Sequence, residues 1–235
     1  MKILALDSSA IVASVAVCED ERLLADYTLN NGNTHSETLL PMVESIFASL
    51  GITASDIDLF AVSAGPGSFT GVRIGAATLK GLAFASGKPC SEVSTLEAIA
   101  YNMRFHKGLI CPVMNARRSQ VYTALFRSDG EEFERLMPDS AISISDLDKL
   151  LCEYGEEVCL CGDGYEITRD AVKLTTLRAV PERMRLQSGA SVALIALKNY
   201  KNGLFCTDSE LGVNYLRPSQ AERERNERLE AQKTQ

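Results

Sequence analysis

Residues 65–75 read GPGSFTGVRIG, a glycine-rich turn between an apolar run and a helix-forming segment. That is the setting of a phosphate cradle, but its chemistry is missing. A P-loop closes on Gly-Lys-Ser/Thr, and a dinucleotide loop keeps its own glycine spacing with an acid downstream. Here Pro66 removes one amide donor and Phe69 would crowd a phosphate. Gly71 and Gly75 stand one helical turn apart, with Ala76, Leu79, Leu82, Ala83 and Ser86 on or beside the same face. Glycine inside a helix costs about 1 kcal/mol against alanine. Two on one face therefore point to close approach by another element. Packing within the domain and pairing with a second subunit both fit the spacing.

Other candidates are sparse. Asp7-Ser8-Ser9-Ala10 and Asn115-Ala116-Arg117-Arg118-Ser119 are turns between strand-like runs, and neither has a glycine. Asp7 could hold a magnesium-bound water or cap the end of the first strand. His35 and His106 are the only histidines, and Leu39 stands where a metal helix would want its second ligand. A capping role is expected for His35. The seven cysteines fall mostly in apolar runs, and Cys159-Leu-Cys161 has no second Cys or His pair nearby at metal-site spacing. No Gly-x-Ser-x-Gly elbow and no catalytic constellation is found.

The elements that must position these residues come from hydrophobic periodicity. Buried strands are expected at 2–6, 13–18, 23–29 and 59–64, with a polar turn at 19–22 and a loop at 30–33. Thr34 and Glu37 have capping-box spacing, so a helix begins there, with Leu39, Leu40, Val43, Ile46, Phe47 and Leu50 at helical period and Pro41 kinking its start. A second helix covers about 70–86. The other half repeats the plan: strands at 109–114, 121–126 and 158–161, an acidic turn at 128–132, a Gly162-Asp163-Gly164 turn and a helix at 188–200. Residues 75–87 (GAATLKGLAFASG) even resemble 189–203 (GASVALIALKNYKNG). The expected fold is α/β: two duplicated halves of the actin-like ATPase (ASKHA, ribonuclease-H-like) kind, each a mixed sheet flanked by helices, with any nucleotide between them. The halves are expected at 1–106, carrying the partner interface, and 107–218, followed by a charged tail at 219–235 that reads as frayed helix or disorder.

A net charge of −7 opposes stand-alone nucleic-acid binding, since phosphate contacts need clustered Lys and Arg. MKILALD meets a charge at Asp7, too soon for a signal-peptide core, and Arg73 and Lys80 interrupt the longest membrane candidate. A cytoplasmic chain with reduced thiols and no membrane contact is expected.

ILALDSS, AGPGSFTGVRIG, NARRSQVYTALF, CGDGY and NYLRP, in that order over 1–218, resemble the TsaB (YeaZ) family. One departure is Asn115, where family members usually carry Asp, which removes any acid role there. The resemblance implies a non-catalytic subunit of the bacterial machinery that makes threonylcarbamoyladenosine on tRNAs reading codons that begin with A. It implies that the subunit binds and activates TsaD, a paralogue that holds a metal between two histidines and transfers the threonylcarbamoyl group from its adenylate to tRNA. A small ATPase, TsaE, would join in an ATP-dependent ternary complex, and tRNA would be met only through the complex. No resident cofactor or metal is expected, with Asp7, Ser8 and Ser9 as candidates for a vestigial nucleotide site. The partner interface is expected at Leu39, Leu40, Val43, Gly71, Gly75, Ala76, Leu79 and Leu82, serving TsaD or, without it, a second copy. Gly75→Leu should then fold but fail to pair. An actin-like ATPase or kinase, and a metallopeptidase, are the alternative functions.

Overall fold

The computed structural model describes residues 1–217; the charged tail expected at 219–235 lies outside them. Strands β1 (Lys2–Asp7), β2 (Ala13–Glu19) and β3 (Arg22–Leu29) precede helix α1 (His35–Leu50). Then come β4 (Leu59–Gly65), α2 (Phe69–Ser86), β5 (Cys90–Ser94) and α3 (Thr95–Tyr101). The second half runs β6 (Gly108–Asn115), β7 (Gln120–Ser128), β8 (Phe133–Ser143), α4 (Ile144–Tyr154), β9 (Val158–Cys161), α5 (Tyr165–Ala171), β10 (Leu177–Arg178), α6 (Glu182–Arg185) and α7 (Gly189–Lys201).

The two sheets have the same wiring. Their orders are β3-β2-β1-β4-β5 and β10-β9-β6-β7-β8. In each, the first three strands form an antiparallel meander and the last two join parallel to the first. This is the duplicated plan expected of the actin-like class. The central strands read as unbroken apolar runs because both faces are covered. On β1, Leu4 and Leu6 pack under α1 and α2, whereas Ile3 and Ala5 pack under α7. Beyond the second sheet, α4 and α5 cover Leu109, Cys111 and Val113.

The middle layer corrects the expected division of the chain. Helix α7, expected with the second half, lies on the first sheet, where Val192, Ala193 and Ala196 meet Ile3, Ala5 and Ala61. Conversely, Leu96 and Ile99 of α3 pack with Ile110, Ala124 and Phe126 of the second sheet. The halves thus exchange helices. The helix that follows β9 as α2 follows β4 is the short α5, so the likeness of 75–87 to 189–203 does not mark equivalent positions. Both segments share small residues because both lie flat on the same sheet, from opposite sides. Among the described residues no helix is long and apolar enough to cross a membrane.

Helix α1 begins after Thr34, as its spacing predicts, but the Thr34 side chain makes no capping hydrogen bond, and the helix runs unbroken through Pro41. The expected interface residues are mostly internal. Leu39, Val43, Ala76 and Leu79 belong to the core of the first half, Leu82 is partly buried against it, and Leu40 alone is exposed. Gly71 and Gly75 face the β1–β2 turn of their own domain. A Cβ on Gly71 would stand 2.1 Å from the Ser8 carbonyl oxygen, and one on Gly75 would stand 2.5 Å from Ser8 Oγ. Those contacts are too short for real atoms, so the close approach inferred from the spacing is intramolecular. Gly75→Leu is therefore a folding variant. It should lower stability by about 1–3 kcal/mol through overpacking, more than the helix-propensity gain of about 0.8 kcal/mol returns. Urea denaturation measures it, and an unchanged midpoint would contradict the packing.

Candidate functional site: the cleft between the halves

A cleft of about 570 Å³ opens between the halves, lined among others by Ser9, Pro66, Phe69, Asn115, Asp163 and Tyr215. Three turns and one C-terminal segment build it. In the β1–β2 turn, Asp7 is fully buried. The Ser9 N–H and hydroxyl both donate to its Oδ1, at 2.9 and 2.6 Å, and the Ser63 hydroxyl donates to Oδ2 at 2.5 Å. Burial pushes the Asp7 carboxyl above its ordinary range, and the hydrogen bonds from Ser63 and Ser9 oppose that. Asp7 is thus engaged within its own turn, as a strand-end cap would be, and the Ser9 amide that a phosphate would need points at it. The Ser8 hydroxyl donates to the Gly71 carbonyl at 2.9 Å, and the Ser68 N–H donates to the Ser9 carbonyl at 2.7 Å. His35 does not cap its helix; its Nε2–H donates to the Ala10 carbonyl at 2.7 Å and ties α1 to the same turn.

The second turn repeats the first in weaker chemistry. Asn115 Oδ1 accepts from the Arg117 N–H at 2.8 Å, two residues on, as Asp7 does from Ser9. Arg117, Arg118 and Ser119 then take φ of 62°, 54° and 55° in succession. Without glycine, three left-handed residues in a row cost backbone strain. The turn is held by the Ala116 N–H donating to Gln120 and the Gln120 N–H donating to Arg117, at 3.0 and 3.1 Å.

The third turn, after β9, supplies Asp163. Its Oδ1 is buried without a partner among the described residues. Burial lifts its pKa to about 6; backbone hydrogen bonds of Asp163 and Asn115 lower it, and the nearby Asp7 raises it. Gly162 and Gly164 serve this turn, since a Cβ on Gly162 would stand 2.1 Å from the Val113 carbonyl.

Residues 214–217 close one side. The Asn214 N–H donates to the Ala64 carbonyl at 2.7 Å, and Tyr215 lies 4.8 Å from the Phe69 ring. Arg73 stacks 3.7 Å above Phe69 while its Nε–H donates to the Tyr215 hydroxyl at 2.6 Å. Arg217 crosses to the other half and donates to the Ala116 carbonyl at 3.2 Å. Sequence reasoning did not single out Asp163, Tyr215 or Arg217 as site residues. The Gly-Asp-Gly turn was the available signal for the first, and nothing in local spacing ties 215–217 to the cleft. His106 lies elsewhere, 3.3 Å from the Arg178 guanidinium. Among the described residues no group of three or more His, Cys, Asp or Glu side chains could hold a metal ion.

Two turns of the same design thus face one cleft, in a chain whose relatives are known. The family model for TsaD, tRNA N6-adenosine threonylcarbamoyltransferase, matches residues 23–200. The tRNA threonylcarbamoyladenosine biosynthesis protein TsaB of Bacillus subtilis is 34% identical over 173 residues, 74% of this chain and 76% of that one. Its namesake from Escherichia coli is 30% identical over 225 residues, covering 92% and 95%. The chain belongs to the TsaB family. A Pseudomonas aeruginosa protein described as similar to peptidase YEAZ superposes with a TM-score of 0.80 at 25% identity, over 92% of this chain and 99% of that one. TsaB proteins act in the biosynthesis of threonylcarbamoyladenosine on tRNA, and in this one the Ser9 and Arg117 amides of the duplicated turns are taken by Asp7 and Asn115.

Asp163 gives the site a measurable signature. A carboxyl raised to about 6 from 3.8 binds its proton more tightly folded than unfolded, so its ionisation costs stability as pH climbs through that window. Asp163→Asn removes the cost. The variant's stability relative to the parent should rise between about pH 4 and 6 by on the order of 3 kcal/mol, and stay level on either side. Denaturant titrations from pH 3.5 to 7.5 read this, and a pH-independent difference would show that Asp163 ionises freely.

Proposed function

We propose that this chain is a non-catalytic subunit of the threonylcarbamoyl-transfer machinery, pairing with and activating the TsaD transferase through the outward face of α1 and α2. One observation carries the reading. Gly81 lies inside α2, yet a Cβ there would meet nothing within 4 Å. A helical glycine costs about 1 kcal/mol, and at Gly71 and Gly75 packing within the domain explains it. At Gly81 nothing in the described chain does. Phe84, one turn further along, is 76% exposed, and Leu40 on the adjoining α1 is 46% exposed. A small residue beside exposed apolar ones on paired helices suits close helix-on-helix contact with another molecule.

The transferase is the favoured occupant because the TsaD family model spans α1 and α2 of this chain. A partner built on the same first half would present equivalent helices, and the two pairs would meet about a pseudo-two-fold axis. A second copy of this chain would use the same face when TsaD is absent. The engaged Asp7 and the glycine-free turns support a role without chemistry of its own, and they weigh against the ATPase and metallopeptidase readings. In the same reading TsaE joins the pair, ATP acts through the complex, tRNA is met only there, and the site of action is the cytoplasm.

Gly81→Leu and Phe84→Asp test the proposal. Gly81→Leu should fold at least as stably as the parent by circular dichroism, gaining up to about 0.8 kcal/mol of helix propensity. Both variants should weaken TsaD capture tenfold or more and lose tRNA modification in a reconstituted system that needs the parent chain. Parent-like capture by both would remove this face from the pairing, and full modification without the chain would remove the activating role.

A further inference from the structure

The segment after α7 returns to the edge of the first sheet at Cys206. Cys206 forms an isolated antiparallel bridge with Cys90 at the start of β5. The Cys90 N–H donates to the Cys206 carbonyl at 2.8 Å, and the Cys206 N–H donates back at 2.9 Å. Two residues that exchange both hydrogen bonds sit directly opposite, with Cα atoms about 5.5 Å apart and side chains on the same face. That spacing lies within the disulfide range of about 4.4–6.8 Å. The Cys206 thiol already reaches across, 3.6 Å from the Cys90 carbonyl oxygen. Cys90 is buried and Cys206 half-buried, so a reagent has access from the Cys206 side. From this point the chain runs to the cleft. Gly212 N–H donates to Glu92, Asn214 N–H to Ala64, and Tyr215 seats on Phe69.

We propose that Cys90 and Cys206 are a thiol–disulfide modification site whose oxidation locks the C-terminal segment, and with it one wall of the cleft, to the first sheet. The co-reactant is a low-molecular-weight disulfide such as oxidised glutathione. The Cys206 thiolate attacks one sulfur of the reagent and releases the first reduced thiol. The Cys90 thiolate then attacks Cys206 Sγ, forming the protein disulfide and releasing the second. Two electrons pass to the reagent, and the two thiol protons leave with the departing thiolates. The Cβ atoms of such a pair stand near 5 Å, so the bridge must tighten by roughly 1 Å to reach disulfide geometry. A two-residue bridge outside any longer ladder can give by that much. Burial holds both thiols protonated, Cys90 at about 12 and Cys206 at about 11, so exchange is slow at neutral pH and should quicken about tenfold per unit below those values. The lock is therefore set by sustained oxidation rather than by brief exposure.

The test uses the full chain carrying Cys152→Ser, which removes the exposed thiol. After incubation with oxidised glutathione at pH 8.5, thiols are counted in denaturant and the linked peptides mapped. Two thiols should be lost, the mapped link should join Cys90 to Cys206, and dithiothreitol should restore both. Adding Cys206→Ser should abolish the loss. Amide exchange at Asn214 should slow several-fold in the oxidised chain. An unchanged thiol count, a link between other cysteines, or a loss that survives Cys206→Ser would overturn the site. Unaltered exchange at Asn214 would overturn the lock.

Discussion

The architecture of the first half depends on how closely the β1–β2 turn lies against the start of α2. Three glycines permit it: Gly67, Gly71 and Gly75 each face Ser8 or Ser9 at distances where a Cβ would overlap, between 2.1 and 2.5 Å. The backbone of the turn thereby becomes part of the helix's packing surface, and hydrogen bonds close the seam from both sides. A glycine-rich stretch can cradle a phosphate or cradle another piece of its own chain, and the two uses exclude each other. Here the glycines receive Ser8 and Ser9. The cost of two helical glycines, roughly 2 kcal/mol against alanine, is offset by the packing they allow.

Duplication explains much of the rest. The same strand order occurs twice, and each half ends by sending a helix to the other, so α3 and α7 share one layer between the sheets. Polar contacts add to that interlock. The Ser94 hydroxyl donates to Asp139 at 2.6 Å, and Arg135 reaches both Glu97 and Asp139.

The central strands were legible because burial on both faces leaves continuous apolar runs, and α1 and α2 because their period is strong. The elements missed by eye have physical reasons. β8 is an edge strand, half exposed, with Pro138 inside it, so its pattern is neither a buried run nor a clean alternation. β5 carries Ser and Glu, and α5, β10 and α6 are too short for periodicity to register. Helical glycine spacing declares a close neighbour without naming it; only the distances to Ser8 assign it. The address of α7 was misread for the same kind of reason. Small residues on a helix report a flat contact with a sheet and carry no information about which sheet. Likewise the lone His35 was read as a cap, whereas its partner, Ala10, is 25 residues away.

The ionisable groups around the cleft are held mostly by the chain itself. Asp163 lines the cleft and Asp7 lies fully buried in the first turn, and burial opposes the ordinary ionisation of both. Phosphate sites need the reverse, with free amides and cations facing inward. Of the arginines near the cleft, Arg73 lies on Phe69 and Tyr215, and Arg217 holds the Ala116 carbonyl. These contacts spend cationic side chains on fixing the chain's own backbone and aromatic rings. In the proposed pairing such fixing matters, because flexing of α2 against its sheet would blur the Gly81 and Phe84 surface. The seam at Ser8 and Ser9 anchors the N-terminal end of that helix, while the apolar core beneath Leu79 and Ala83 anchors the rest. The glycine contacts that seat the β1–β2 turn thus also set how α2 presents its outward face.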